Sequence, residues 1–173
     1  NDDIYVSGNL GDSYLGLLIL KNKLKINNQL KKYFINQYFM PDIQLKLIDQ
    51  IKKFANTSID ISDGLLADLD KMINNQKLSY KLFLDDIPIS NNLKKILDLK
   101  KLPKINYVSN GDDYQVLFTA SKNKMRIIRN IASNCRVKLT KIGSIQSYVK
   151  KSSVIDGKNV KIMPKNKGYF HQF

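Results

Sequence analysis

Apolar and polar positions change period several times along the chain, and each change marks an element. Asp3-Ile4-Tyr5-Val6-Ser7 reads as a short strand, closed by a Gly8-Asn9-Leu10-Gly11 turn. Asp12 or Ser13 can cap a helix carrying Leu15, Leu17, Leu18 and Leu24, and Asn27-Asn28 interrupts that run. Helices are predicted over residues 29–39, ending before Pro41, and 42–54, where Ile43, Leu47, Ile48, Ile51 and Phe54 form one stripe. Period two returns at residues 58–61, with Ile59 and Ile61 on one face and Asp60 and Ser62 on the other. A helix follows with Leu65, Leu66, Leu69, Met72 and Ile73 as its stripe.

Downstream, strands are predicted over residues 77–84, 114–120, 137–147 and 154–162, the last split by an Asp156-Gly157 turn. Helices are predicted over 91–99 and 122–133, the second turning Met125, Ile128 and Ile131 or Ala132 inward. Asp85-Asp86-Ile87-Pro88 turns, Pro103 opens a loop, Asn110-Gly111 is a turn signal, and residues 164–173 form a polar, aromatic tail. With no repeat and no low-complexity linker, this order predicts one layered α+β domain, a mixed sheet covered by helices.

Composition narrows the function classes. The chain has 173 residues, of which 43% are hydrophobic and 25% charged. That is ordinary for a globular domain, and a chain of this size can bury about 70% of its extended surface without staples. No apolar run approaches the ~18 residues of a membrane span. The lone Cys135 excludes a disulfide scaffold and a cysteine-based zinc site, and the lone His171, at the end of the tail, excludes a Ser-His-Asp triad in the body. The net charge of +14 invites a nucleic-acid reading. However, lysines are scattered through every segment and arginine is rare, which argues for a compositional bias and against a basic binding face. The chain starts without methionine and contains no Glu. It is expected to be a piece of a longer chain.

The sharpest chemical feature is Ile59-Asp60-Ile61-Ser62-Asp63-Gly64-Leu65-Leu66. Two carboxylates and a hydroxyl surround a helix start, where acids can hold Mg²⁺ and free N–H groups can hold phosphate. Plain helix capping by Ser62 or Asp63 is the competing reading, and it leaves Asp60 unexplained. Asn110-Gly111-Asp112-Asp113-Tyr114 places paired acids before a strand, either to bind a cation or as a solvated turn. Gly8-Asn9-Leu10-Gly11-Asp12-Ser13 matches neither a Walker loop nor a dinucleotide fingerprint, and a tight strand-to-helix turn accounts for it.

In this order the segments resemble the C-terminal part of thiamine-monophosphate kinases, members of the superfamily of aminoimidazole ribonucleotide synthetase and selenophosphate synthetase. The matches include Asp3-Ile4-Tyr5-Val6-Ser7-Gly8 with Leu10-Gly11-Asp12-Ser13, the Ile59-to-Leu66 stretch with Ala67-Asp68-Leu69, Leu84-Asp85-Asp86-Ile87-Pro88-Ile89-Ser90, Gly111-Asp112-Asp113-Tyr114, Lys141-Ile142-Gly143 and Lys167-Gly168-Tyr169. The chain departs from the family where paired prolines with a following arginine become Met40-Pro41-Asp42-Ile43-Gln44, at Asn110, and in the tail order Tyr169-Phe170-His171-Gln172-Phe173.

The resemblance implies an ATP- and Mg²⁺-dependent phosphoryl transfer to thiamine monophosphate, giving thiamine diphosphate. It implies Asp60 and Asp63 as magnesium ligands, Ser62 as a nucleotide contact, and Asp112 and Tyr169 as substrate contacts. It also implies that residues 1–173 are the C-terminal substrate-binding domain of a two-domain cytoplasmic kinase, homodimeric when intact and with no nucleic-acid or membrane partner. Its N-terminal ATP- and Mg²⁺-binding domain is missing here, so the chain alone is expected to be inactive. Another ATP-dependent enzyme of the superfamily, or a basic nucleic-acid-binding module, are the alternatives.

Overall fold

The computed structural model describes residues 2–74, 76–148 and 151–169; Phe170, His171, Gln172 and Phe173 of the tail lie outside them. In chain order the elements are β1 (Asp3–Ser7), α1 (Asp12–Leu20), α2 (Asn28–Phe39), α3 (Leu45–Ile51), β2 (Thr57–Asp60), α4 (Leu65–Met72), β3 (Leu78–Phe83), α5 (Asn91–Lys100), α6 (Ile105–Val108), β4 (Val116–Ala120), α7 (Met125–Cys135), β5 (Leu139–Ser147), β6 (Ser153–Ile155) and β7 (Lys161–Ile162). Among the described residues the strands form one sheet in the order β2-β4-β1-β5-β3-β6-β7. Every pairing is antiparallel except β3 with β6, so the sheet is mixed as expected.

Alternation along the strands builds two cores. Ile4 and Val6 of β1, Leu117 of β4 and Ile142 of β5 point to one face, where Leu65, Leu66 and Leu69 of α4 cover them. Tyr5 and Phe118 point to the other face, stack with ring centroids 5.2 Å apart, and meet Leu47 of α3 and Ile128 and Ile131 of α7. Each such fully buried side chain contributes about 1.5–3 kcal/mol of hydrophobic stabilisation. A third cluster joins α1, α2 and α5 through Leu15, Ile19, Phe34, Leu93 and Ile96. Two helix starts are capped locally. Asn27 accepts from the Leu30 N–H at 2.9 Å, and Ser90 accepts from the Leu93 N–H at 3.0 Å.

Four elements differ from their predicted form. α1 ends at Leu20, so Leu24 lies beyond it, and its N-cap is Gly11, with Asp12 and Ser13 inside the helix. The helix predicted over 42–54 is confined to Leu45–Ile51, and Ile43 and Ile48 of its expected stripe are exposed. The Asp42 carbonyl accepts from the Gln115 side chain at 2.8 Å and from Gln44 at 3.0 Å, which holds that carbonyl outside the helix ladder. Met125 opens α7 with 39% of its surface exposed, so only Ile128 and Ile131 of the expected stripe are buried. The loop expected after Pro103 contains α6, four residues long and too short to display a period.

Candidate functional site

Three loops that are remote in sequence meet beside the N-terminus of α4. Residues 62–64 follow β2, residues 109–114 precede β4, and residues 166–169 come from the tail. Backbone bonds stitch them together. The Asp112 N–H donates to the Ser62 carbonyl at 3.0 Å, Tyr114 N–H to Ile61 at 2.9 Å, and Tyr169 N–H to Asp63 at 2.8 Å. The Ala67 N–H, in the first turn of α4, donates to the Lys167 carbonyl at 3.0 Å. The approach is too close for side chains at Gly168, where a Cβ would lie 2.6 Å from the Asp63 carbonyl oxygen, and closer still at two other glycines. A Cβ on Gly111 would lie 2.0 Å from the Ser62 carbonyl oxygen, and one on Gly64, whose φ is +131°, would lie 2.2 Å from that of Ser109.

A cleft of about 710 Å³ opens at this junction. Ser62, Asp63, Asp112 and Tyr169 all line it, so four of the five residues singled out in the sequence are brought together. Tyr169 is 65% exposed. Asp60 does not line the cleft; it ends β2, the outer strand of the sheet, and is exposed. The cleft is also lined by residues that sequence reasoning missed, Tyr14 and Leu17 of α1, Lys21 at its C-cap and Tyr38 of α2, together with Tyr114 of the 109–114 loop. The helical spacing of Tyr14, Leu17 and Lys21 signals their shared face, but only the tertiary fold shows that it looks onto Asp112.

The start of α4 is organised by a residue inside the helix. Asp68 is fully buried, and its Oδ2 accepts from the N–H groups of Ser62, Asp63 and Gly64 at 3.0, 2.9 and 2.9 Å. These N–H groups, read from sequence as available for phosphate, are therefore occupied by an internal carboxylate. The capping expected from Ser62 or Asp63 is not made: the N-cap residue is Gly64, which has no side chain to offer, and the Asp68 carboxylate takes the N–H groups instead. Lys71, one turn on, donates to Asp68 Oδ1 at 2.7 Å and also to Asp63 Oδ2. Those two bonds, first to Asp63 and then to Asp68, hold the Lys71 ammonium above its ordinary pKa. The i,i+3 spacing of Asp68 and Lys71 was the available signal for their pairing.

The paired acids of the 110–114 turn have separate duties. Asp113 is 4% exposed and accepts from the Gly11 N–H at 2.8 Å and the Ser13 N–H at 3.4 Å, serving the N-terminus of α1 from a distant loop. Burial raises its pKa to about 8 against the pull of those N–H groups, and the Asp12 charge adds to the rise. Asp112, with φ of 67°, faces the cleft. Burial also raises its pKa, as does the Asp63 charge, while Lys21 lowers it. The cleft thus combines two carboxylates, one lysine and several tyrosines. This arrangement suits a planar, cationic ligand.

Among the described residues no group of three or more His, Cys, Asp or Glu side chains is arranged to hold a metal ion. Mg²⁺, however, is commonly held by one or two carboxylates, with water and substrate phosphates supplying its other oxygens. Asp63, at the cleft, has donor chemistry that fits such a ligand; Asp60 is a carboxylate of the same kind but stands exposed at the end of β2, outside the cleft.

No family model matches the chain. Thiamine-monophosphate kinase of Buchnera aphidicola subsp. Acyrthosiphon pisum is 35% identical over 173 residues, which covers 98% of this chain and 52% of the relative. Over 98% of its length the chain is similar to thiamine-monophosphate kinases. It corresponds to the C-terminal half, and it spans about half the length of the curated kinases it matches. Thiamine-monophosphate kinase from Stenotrophomonas maltophilia K279a superposes with a TM-score of 0.77 at 28% identity, covering 90% of this chain and 50% of that one. A ThiL structure complexed with AMPPCP and TMP superposes with a TM-score of 0.75 at 28% identity, covering 98% of this chain and 51% of that one. The mixed sheet with its helices is the α+β fold expected of aminoimidazole ribonucleotide synthetase-like proteins. No helix among the described residues is long and apolar enough to cross a membrane.

Proposed function

We propose that this chain is the C-terminal, substrate-binding half of a kinase that transfers the γ-phosphoryl group of ATP to thiamine monophosphate. The observation that carries this reading is the convergence of Ser62, Asp63, Asp112 and Tyr169 on one cleft. It is supported by the likeness of 98% of the chain to a ThiL structure complexed with AMPPCP and TMP. In the reaction, a phosphate oxygen of thiamine monophosphate bonds to the γ-phosphorus as the bond to the β–γ bridging oxygen breaks. Thiamine diphosphate and ADP are the products. The work is mainly positioning and charge neutralisation, so the chain needs no nucleophile of its own.

Asp112 offers a carboxylate to the cationic thiazolium, and Tyr169, Tyr14 and Tyr38 offer ring faces to the planar heterocycles. Ser62 contacts the nucleotide. Asp60 and Asp63 hold Mg²⁺, which when bound neutralises phosphate charge. The remaining ATP and Mg²⁺ contacts belong to an N-terminal half, and the intact enzyme is a cytoplasmic homodimer.

The test is a coupled ADP-release assay with ATP, Mg²⁺ and thiamine monophosphate. A two-half enzyme carrying this chain is expected to turn over, and the chain alone is not. Asp63→Ala and Asp60→Ala are expected to abolish turnover, and Asp112→Ala chiefly to raise KM for thiamine monophosphate. Full activity of both metal-site variants would remove their assigned role, and turnover by the chain alone would sink the half-enzyme reading.

A further inference from the structure

Asp63 has a cation beside it before any metal arrives. Lys71 lies on α4, and its ammonium bridges two carboxylates of unlike character. Asp68 is fully buried and pinned by three backbone N–H groups, so it cannot follow a moving partner. Asp63 sits at the cleft and keeps 14% of its side chain exposed, and Lys71 is half exposed. One end of the bridge is therefore fixed and the other faces the space where a ligand enters. A lysine head on a four-carbon stem has three donors and can drop one partner while keeping the other.

We propose that Lys71 is the internal counter-cation of the Asp63 site. It neutralises Asp63 in the unliganded chain, and a divalent cation reaching Asp63 takes its place there while Lys71 stays anchored on Asp68. The inference rests on reading Asp63 as a metal ligand. It goes further by giving the site a built-in competitor, which sets how much Mg²⁺ is needed to load it. An empty site then holds no uncompensated carboxylate, and the metal must outbid a tethered ammonium.

The test uses Mn²⁺ as the probe, with free ion read by electron paramagnetic resonance and no turnover required. Lys71→Gln removes the cation but keeps a donor for Asp68, so the α4 start remains paired. An exposed ion pair of this kind gives an expected tightening of Mn²⁺ binding of about three- to fivefold. Lys71→Arg restores the charge and is expected to return the affinity to that of the unaltered chain. Lys167→Gln removes the ammonium that reaches Asp70 at 3.5 Å, next to the same helix, and reports the general effect of losing one charge; a change under about twofold is expected. Equal Mn²⁺ affinity of Lys71→Gln and the unaltered chain, or an equal gain from Lys167→Gln, overturns the counter-cation role. Asp63→Asn separates this from the underlying reading. If it leaves Mn²⁺ binding intact, Asp63 is not a metal ligand. If it abolishes binding while Lys71→Gln changes nothing, the metal site stands and the competitor falls.

Discussion

Asp68→Ala should be among the most damaging single substitutions outside the apolar core. The carboxylate is fully buried, its Oδ2 takes three N–H groups at 2.9–3.0 Å, and its Oδ1 takes Lys71 at 2.7 Å. Each buried N–H left unpaired costs about 1–3 kcal/mol, whereas Lys71 is half exposed and keeps Asp63 as its partner. Water entering from the cleft can satisfy some of the three N–H groups, so about 4 kcal/mol is the expected loss. For a chain of this length that corresponds to a fall in Tm of roughly 10 °C. Asp68→Asn keeps an oxygen for the three N–H groups but turns an amide toward Lys71, and should cost about 1–2 kcal/mol. Urea denaturation gives both values, provided the slope m is unchanged between proteins. A loss below about 1 kcal/mol for Asp68→Ala would refute the idea that this carboxylate organises the start of α4.

Further outcomes follow from the same geometry. Gly111→Ala forces a Cβ to within 2.0 Å of the Ser62 carbonyl oxygen, so the two loops must part; a loss of about 2 kcal/mol or more in denaturation is expected, with faster amide exchange at Asp112 and Tyr114. Asp113 has a pKa raised to about 8 in the folded chain, above its unfolded value of 3.8. The folded state thus holds a proton that the unfolded state releases. Its contribution to stability is full below about pH 4 and falls as pH rises to about 8. Asp113→Asn should remove that dependence, so the variant gains stability relative to the unaltered chain between pH 5 and pH 8 in parallel melts. Tyr169→Ala should raise KM for thiamine monophosphate in the two-half enzyme, while Tyr169→Phe, which keeps the ring face, should not.

Much of the fold was legible because its patterns are local. β1 is a short apolar run, Ile4-Tyr5-Val6, closed by a glycine turn, and α4 carries its stripe of Leu65, Leu66, Leu69 and Met72 directly after Gly64. The extent of α3 was not legible, because the Gln115 side chain, 73 residues away, holds the Asp42 carbonyl outside the helix. Part of the site was equally visible. The run from Ile59 to Leu66 announces a strand, a turn and a helix with acids between them, and Ser62 and Asp63 do line the cleft. Nothing in the local pattern shows that Asp112 and Tyr169 join them, since that depends on backbone bonds among three distant loops. Asp68 was hidden for a different reason. An acid in the first turn of a helix reads as a dipole partner, whereas here it folds back over the preceding turn.

The place of Asp60 has a practical consequence. Because β2 is the outer strand and short, one side of it offers backbone groups to any other strand that arrives. Thr57, Ser58 and Asp60 are its exposed residues, and the one charge among them is Asp60. That carboxylate therefore guards against intermolecular strand addition as well as serving its proposed ligand role. Asp60→Ala tests both duties at once and should raise light scattering on warming as well as lower turnover. Asp60→Lys restores a charged edge without a metal ligand, so it is expected to stay monodisperse and catalytically silent, separating colloidal failure from loss of chemistry.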